Sequence, residues 1–231
     1  MSTPTHGTAV RVTPRRPGDP EPDLLGISLA HRAMLTDVRR IAELVAAMGA
    51  GRTACAPHRA RAIARYVELL CESIHHHHST EDQTLWPVIG ASAGDRVDLS
   101  ELTDDHAALE PRLDQLRSRA ASFRLSGGDA KTAQLMAAEL NDLLTLLTEH
   151  IAEEERDLFP VITEHVSVQD WQRVEKTAQR RGRLSFDGPR TIAVMTESER
   201  ADLSKHAGLG IRAMIAALSI RHRRLERTVF G

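Results

Sequence analysis

The chain of 231 residues has few aromatic side chains, few cysteines and no long apolar run. Aromatic residues make up only 3% of it, although hydrophobic residues together reach 41%. The hydrophobic share is large enough for a sizeable core. Because alanine and leucine dominate over aromatics, the composition favours helices over a β-sandwich. The length allows one large domain, or one domain with an appendage.

These shortages exclude several classes of protein. Cys55 and Cys71 are the two cysteines, and their spacing does not indicate a disulfide framework, so free thiols in a cytoplasmic protein are expected. No run of 18 apolar residues exists, so no membrane span is predicted. A net charge of -2 does not suggest a nucleic-acid partner. Residues 1–22 contain five prolines without an apolar stretch, which predicts a flexible arm rather than a signal peptide.

From residue 27 onward, apolar residues recur every three or four positions, the period of amphipathic helices. The predicted helix ends and starts are Gly49 with Gly51, Pro57, Pro87 with Gly90, Gly94 with Asp95, Gly127 to Asp129, and Pro160. Four helices of about 20–30 residues joined by short turns describe an all-α, up-down-up-down four-helix bundle. We predict this bundle over residues 24–162.

Residues 163–231 are less regular and are predicted to form a C-terminal helical extension. Residues 167–181 have a helical pattern, 182–189 are typical of a loop, and a further helical region covers about 197–228 with a break near Gly208 and Gly210. The apolar residues predicted to pack this region on the bundle are Leu209, Ile211, Met214, Ile215, Leu218 and Leu225. The basic stretch 221–227 is either a solvated helix end or a contact for an anionic partner.

Two segments share one pattern, beginning at His77 and at His150. Each reads His, three residues, Glu, a second acid, two residues, Leu, an aromatic residue, Pro. Residues four positions apart lie on the same face of a helix. Each segment therefore points an imidazole and a carboxylate in the same direction, as a metal ion needs.

Six polar residues fall at positions where the helices otherwise carry apolar side chains. They are His31, His77, Glu81, His106, His150 and Glu154. They lie early in the first and third helices and late in the second and fourth, which is the same end of an up-and-down bundle. A carboxylate buried without a partner costs several kcal/mol or takes up a proton. A pair of divalent or trivalent cations would compensate for this burial.

The mixture of imidazole and carboxylate donors favours iron, manganese or zinc and argues against calcium. A closed structural zinc site needs four ligands and usually contains cysteine. Six or seven ligands suit two ions that are bridged by carboxylates.

The ligand set and the doubled motif resemble the hemerythrin-like, or HHE cation-binding, family of non-haem di-iron four-helix bundles. The resemblance covers about residues 24–162, and the order His, HxxxE, His, HxxxE is that of a bacterial subgroup. It implies two Fe ions in an oxo- or hydroxo-bridged centre. The ligands that it implies are His31, His77, Glu81, His106, His150 and Glu154.

The resemblance also implies a class of function. The expected ligands are small diatomics or peroxides, O2, H2O2 or nitric oxide, in oxidative or nitrosative stress handling. One alternative is an enzyme with a peroxidase-like, catalase-like or nitric-oxide-consuming activity. The other is a sensing or storage module for oxygen, iron or nitric oxide without turnover. A short apolar channel is expected to admit diatomics and exclude larger substrates.

Some assignments stay open at the level of sequence. His78 with Glu81 is an alternative to His77, because only one or two of four consecutive helical histidines can face the core. Oxygen-carrying hemerythrins have a second histidine four residues after the third-helix ligand, where this chain has Glu110. Glu110 is either a ligand or a carboxylate at the rim. Asp82 and Glu155 follow the two ligand glutamates and either face outward or accept a hydrogen bond from a ligating imidazole.

Overall fold

A computed structural model describes residues 10–206 and 209–231. These residues form α-helices with no strand among them, so the prediction of an all-α bundle with additional C-terminal helices is confirmed. The helices are α1 (Leu25–Gly49), α2 (Pro57–Thr80), α3 (Trp86–Ala93), α4 (Ser100–Leu125), α5 (Ala130–His165), α6 (Val168–Arg181), α7 (Leu184–Ala193), α8 (Glu197–His206) and α9 (Leu209–Phe230). A π-helical turn, Glu81–Leu85, joins α2 to α3, and a 3-10 turn, Gly94–Arg96, follows α3.

Local sequence determines where several helices start. Pro57 occupies the first turn of α2, where its missing N–H is not required. The Asp129 side chain caps α5 by accepting a hydrogen bond from the Thr132 N–H at 2.9 Å. Before α5 the backbone turns through Gly127 and Gly128, both with positive φ, a conformation that glycine adopts readily.

Two predicted helix ends are wrong. Pro87 and Gly90 do not end the second helix, because the chain continues through the π-helical turn into α3. Pro87 lies in the first turn of α3, where proline is tolerated. Pro160 lies inside α5, which runs on to His165. Ile162 is fully buried two residues later, so packing on the bundle outweighs the hydrogen bond that proline removes.

The bundle packs α1 against α5 and α2 against α4, with α4 also contacting α5. Its apolar core divides into two clusters. A large one includes Val38, Leu70 and Leu140, and a smaller one includes Leu85 and Leu158. The histidines and glutamates of the predicted site lie between the two clusters in every one of the four helices.

The prediction of a loop over 182–189 is wrong, because residues 184–193 form α7. The sequence Asp187-Gly-Pro has little helical propensity of its own. Tertiary contacts outweigh this, since Phe186 and Arg190 are buried. The Arg190 guanidinium forms a buried ion pair with Asp37 of α1 and lies over the Phe186 ring. These contacts fix α7 on the bundle.

The rest of the extension also packs on the bundle. The Tyr66 hydroxyl donates to Glu226 of α9 at 3.0 Å, and Leu225 is partly buried against the core as predicted. The side chains of Leu209, Ile211, Met214, Ile215 and Leu218 and the break near Gly208 lie outside the described residues. Within the described chain, no helix combines the length and the apolar character needed to cross a bilayer.

Part of the segment predicted as a flexible arm has defined contacts. The Thr13 N–H donates to Asp170 of α6, and Trp171 of the same helix donates its indole N–H to the Asp23 carbonyl at 2.8 Å. Residues 1–9 lie outside the described residues, so flexibility of the arm stays a prediction.

Candidate metal centre

Seven buried or half-buried side chains meet in the polar layer of the bundle, in two groups. The first group is His31, His77, Glu81 and Glu154, and the second is His78, His106 and His150. Within each group, one potential ligand atom per residue lies within 4.8 Å of all the others. The structure thus brings together all six residues of the sequence-based set, and it adds His78.

In the first group the nitrogens and oxygens face a common point. The Nε2 atoms of His31 and His77 are 3.0 Å apart. His77 Nε2 is 2.8 Å from Oε1 of Glu81, and His31 Nε2 is 3.4 Å from Oε2 of Glu154. An imidazole ligand lies about 2.1 Å from a bound metal ion, so two such ligands at right angles are about 3 Å apart. The spacing therefore fits ligands that share one ion.

The second group has the same spacing. The Nε2 atoms of His106 and His150 are 3.1 Å apart, and the His78 ring stacks on that of His106 with centroids 4.4 Å apart. Glu81 Oε2 is 3.7 Å from His106 Nε2, and Glu154 Oε2 is 3.9 Å from His150 Nε2. Both glutamates therefore border both groups, which is the position of carboxylates that bridge two metal ions.

Six buried nitrogen and oxygen atoms of the site lack hydrogen-bond partners. Both carboxylate oxygens of Glu81 and of Glu154, and both ring nitrogens of His78, make no hydrogen bond of acceptable geometry. Buried polar groups in folded proteins are rarely left in this state. Oxygen and imidazole nitrogen are the donor types that suit iron, manganese and zinc. The residues therefore fit a centre that contains metal ions.

Burial controls the protonation of these groups when no cation is present. It raises the pKa of Glu154 to about 8, with the neighbouring Glu81 as a further cause, and it raises the pKa of Glu81 well above its ordinary value. Burial lowers the pKa of His150 to about 4, and it also lowers the pKa of His78. Without a cation, the site thus favours neutral acids at Glu81 and Glu154 and neutral imidazoles at His78 and His150. Neutral imidazole is the form that binds metal.

Three of the imidazoles contact a carboxylate through the ring nitrogen that faces away from the site. His31 Nδ1 is 2.8 Å from Glu155, and His106 Nδ1 is 2.8 Å from Asp82. His150 Nδ1 is 3.4 Å from Asp105. In each case Nε2 is left to point into the site, the arrangement in which a carboxylate orients a metal-binding histidine. Asp82 and Glu155 thus accept hydrogen bonds from imidazoles of the site. This is one of the two roles that the sequence left open for them, the other being an outward orientation.

The second acid and the aromatic residue of each copy of the doubled motif also contact the site. Asp82 binds His106, and the next aromatic residue, Trp86, stacks on the same ring at 5.7 Å. In the other copy, Glu155 binds His31, and Phe159 stacks on that ring at 6.3 Å. Each copy therefore supplies its own ligands and also positions one histidine of the helix packed beside it.

The remaining histidines of the run 75–78 have other contacts. His75 Nδ1 lies 2.5 Å from the Glu110 carboxylate, and both side chains are more than 40% exposed. Glu110 is in neither of the two groups. His76 faces Glu72 at 3.8 Å.

His78 was treated by sequence reasoning as a substitute for His77, whereas the two residues lie in different groups. Consecutive residues of a helix point about 100° apart. His77 faces α1, and His78 faces α4 and α5. One feature of the sequence could have identified His78 as a ligand. Helix α4 lacks the second histidine of oxygen-carrying hemerythrins, so the second group needs an imidazole from another helix, and His78 supplies it.

Comparison with known proteins agrees with this site. No curated protein and no solved structure matches the chain significantly. The Hemerythrin HHE cation binding domain matches residues 27–162, more than half of the chain and the whole of the part that carries the two groups. The chain therefore belongs to the hemerythrin HHE cation-binding domain family.

Proposed function

We propose that the protein is a non-haem di-iron protein that binds or reacts with small oxidants, namely O2, H2O2 or nitric oxide. In this proposal His31 and His77 hold one iron, and His78, His106 and His150 hold the other. Glu81 and Glu154, which border both groups, would supply carboxylate ligands to the two ions. Iron bound in this way supplies a redox change and a position for an external ligand.

The observation that carries the proposal is the pair of glutamates shared by two histidine groups. Oxygens of Glu81 and Glu154 lie 2.8–3.9 Å from imidazole nitrogens of both groups. A single ion would leave one set of imidazoles without a function. Two ions use all seven side chains.

The two groups are not equivalent, and the difference favours one place for an incoming oxidant. The first group has two imidazoles and the second has three. His77 in the first group is 16% exposed, whereas the histidines of the second group are almost fully buried. The first group thus has fewer imidazoles and better access, which suits an open coordination position.

The surrounding residues exclude bulk water from the rest of the centre. Met34 and Leu85 are buried on the two sides of the first group along the bundle, and Leu109 and Leu102 are buried on the two sides of His106. These walls limit entry to small or apolar molecules.

Metal analysis of the purified full chain provides the first test. About two irons per chain are expected, and Glu81→Gln/Glu154→Gln should remove most of them, whereas Glu149→Gln on the exposed face of α5 should not. Iron near zero, or a single four-coordinate zinc, would refute the proposal.

Stopped-flow spectra of the reduced protein then separate the two classes of function. Rapid turnover of peroxide or nitric oxide supports an enzyme. Stable binding of oxygen that is reversed by degassing supports a sensing or storage module.

A further inference from the structure

A cleft of about 330 Å³ lies between the bundle and the C-terminal extension. Its walls come from α1, α2 and the π-helical turn on one side and from α6 and α7 on the other. His77 and Glu81 of the first metal-binding group line its inner part. Helices α6 and α7 lie outside the region that matches the family, so the cleft is a property of this chain and its extension.

Most of the surface of the cleft is apolar. The apolar residues that line it are Ile27, Leu29, Ala30, Ala33 and Met34 of α1, Leu85 of the π-helical turn, Trp171, Val174 and Ala178 of α6, and Leu184 of α7. An apolar wall of this kind binds a ligand by removing apolar surface from water.

Several of the polar residues in the walls form hydrogen bonds within the protein. Arg190 pairs with Asp37 and also donates to Asp187 at 3.2 Å. Ser73 donates to the same Asp187 at 2.7 Å, and Thr80 donates to the His76 carbonyl at 2.7 Å. The hydroxyls of Ser73 and Thr80 are thus occupied within the protein, whereas Arg190 Nη2 has no hydrogen-bond partner.

The cleft is too large for a diatomic molecule alone. The sequence led us to expect a short channel that excludes larger substrates. A water molecule occupies about 30 Å³ in the liquid, so 330 Å³ holds on the order of ten groups of that size. Small-molecule sites begin at about 300 Å³. The size therefore suits an organic molecule.

We propose that this cleft binds a small organic molecule with an apolar body, oriented with its polar end toward His77 and Glu81. The location beside a metal ion rests on the proposed function, whereas the cleft and its apolar walls do not. The occupant would be a co-substrate or an effector that contacts the more accessible metal-binding group.

The proposal can be tested by calorimetric titration of the metal-containing full chain with two uncharged compounds, cyclohexanol and myo-inositol, each of which contains a six-membered ring. Cyclohexanol has an apolar ring and one hydroxyl, and myo-inositol has the same ring with six hydroxyls. Cyclohexanol is expected to bind at least tenfold more tightly than myo-inositol, because the walls offer apolar surface and few free polar groups.

Two variants locate the binding. A Cβ at Gly188 of α7 would make an ordinary contact with Leu184 at 3.5 Å, so Gly188→Phe places a ring along the cleft wall. Ala178→Trp fills the cleft from α6 and provides a second variant if the first does not fold. Each is expected to weaken cyclohexanol binding at least tenfold. Gly90→Phe is the matched control, since a Cβ there meets nothing within 4 Å and Gly90 is not in the cleft.

The possible outcomes are distinct. Undetectable binding of cyclohexanol, equal binding of myo-inositol, or unchanged binding in folded Gly188→Phe and Ala178→Trp would each overturn the inference. Iron content is measured on the same samples. A chain that lacks iron but still binds cyclohexanol in the cleft refutes the proposed function alone, and a chain with two irons and no binding refutes the cleft proposal alone.

Discussion

His31 and His106 occupy equivalent surroundings on opposite sides of the bundle. Each has its Nδ1 on a carboxylate from a neighbouring helix and one ring face against an aromatic side chain. The hydrogen bond selects the tautomer that leaves Nε2 free, and the stacked ring restricts rotation. Both restrictions reduce the reorganisation that metal binding requires.

The outer carboxylates can be tested individually. Asp82→Asn is expected to weaken metal binding 10–100-fold, because the amide orients the His106 ring less firmly and lowers its basicity. Competition with a chelator measures the change. Glu110→Gln is the matched control, since it alters an exposed carboxylate whose partner is His75. Equal effects of the two substitutions would contradict a special role for Asp82.

The role of His78 gives a second prediction. His78→Ala should lower the iron content from about two to about one per chain, because the second group loses one of its three imidazoles. His75→Ala removes a histidine from the same run without touching either group, and it should keep two irons. Elemental analysis distinguishes the outcomes. Full iron content in His78→Ala would show that His78 is not a ligand.

The sequence was sufficient to identify most of the candidate site. His31, His106 and the two HxxxE pairs stand out because they occupy apolar positions of regular helices. His78 was harder to identify, because a residue next to a ligand usually points away from the core. Its inward position depends on where α2 lies relative to α4 and α5, which local periodicity does not encode.

At the scale of helices, a buried ion pair joins α7 to the bundle. Asp37 and Arg190 are both less than 5% exposed, and the pair joins α1 to the extension. A buried ion pair contributes little net stability, yet removal of one partner leaves the other charge without compensation.

Asp37→Ala is therefore expected to lower the free energy of unfolding by about 3 kcal/mol, the lower end for a broken buried pair, because Arg190 keeps its contact with Asp187. Urea denaturation measures the change. Asp37→Ala/Arg190→Met should recover part of the loss. Asp114→Ala, in the exposed pair with Arg117, should have little effect. A loss in Asp114→Ala as large as that in Asp37→Ala would contradict the argument.

Helix α7 and the two prolines also show where prediction from sequence failed. Asp187-Gly-Pro, Pro87 and Pro160 have strong local signals against helix. In each case buried neighbours, such as Phe186 and Ile162, decide the conformation. Where local signal and packing agree, as at Gly49 and Pro57, the predicted boundary is correct.

At the scale of the whole molecule, a polar layer separates two apolar clusters. Glu154 is fully buried and Glu81 nearly so. In the proposed metal centre, bound cations compensate for this burial, and the stability of the bundle should therefore depend on them. Each bound ion adds about 2.7 kcal/mol when its free concentration is a hundred times Kd.

Removal of metal should consequently lower the melting temperature of the natural chain. Glu81→Gln/Glu154→Gln should show the opposite order: without metal it should melt at a higher temperature than the natural chain, because two buried acids are gone. Added iron should not stabilise it. Calorimetry with and without a chelator measures the melting temperatures of both proteins. An unchanged melting temperature of the natural chain after chelation would refute the dependence of stability on metal.

The pairing of α1 with α5 has a consequence for the order in which the protein matures. The first group includes His31 and Glu154, and the second includes His150. A nascent chain therefore has neither complete set until about two thirds of it has left the ribosome. In the proposed di-iron protein, iron insertion must then follow synthesis of α5.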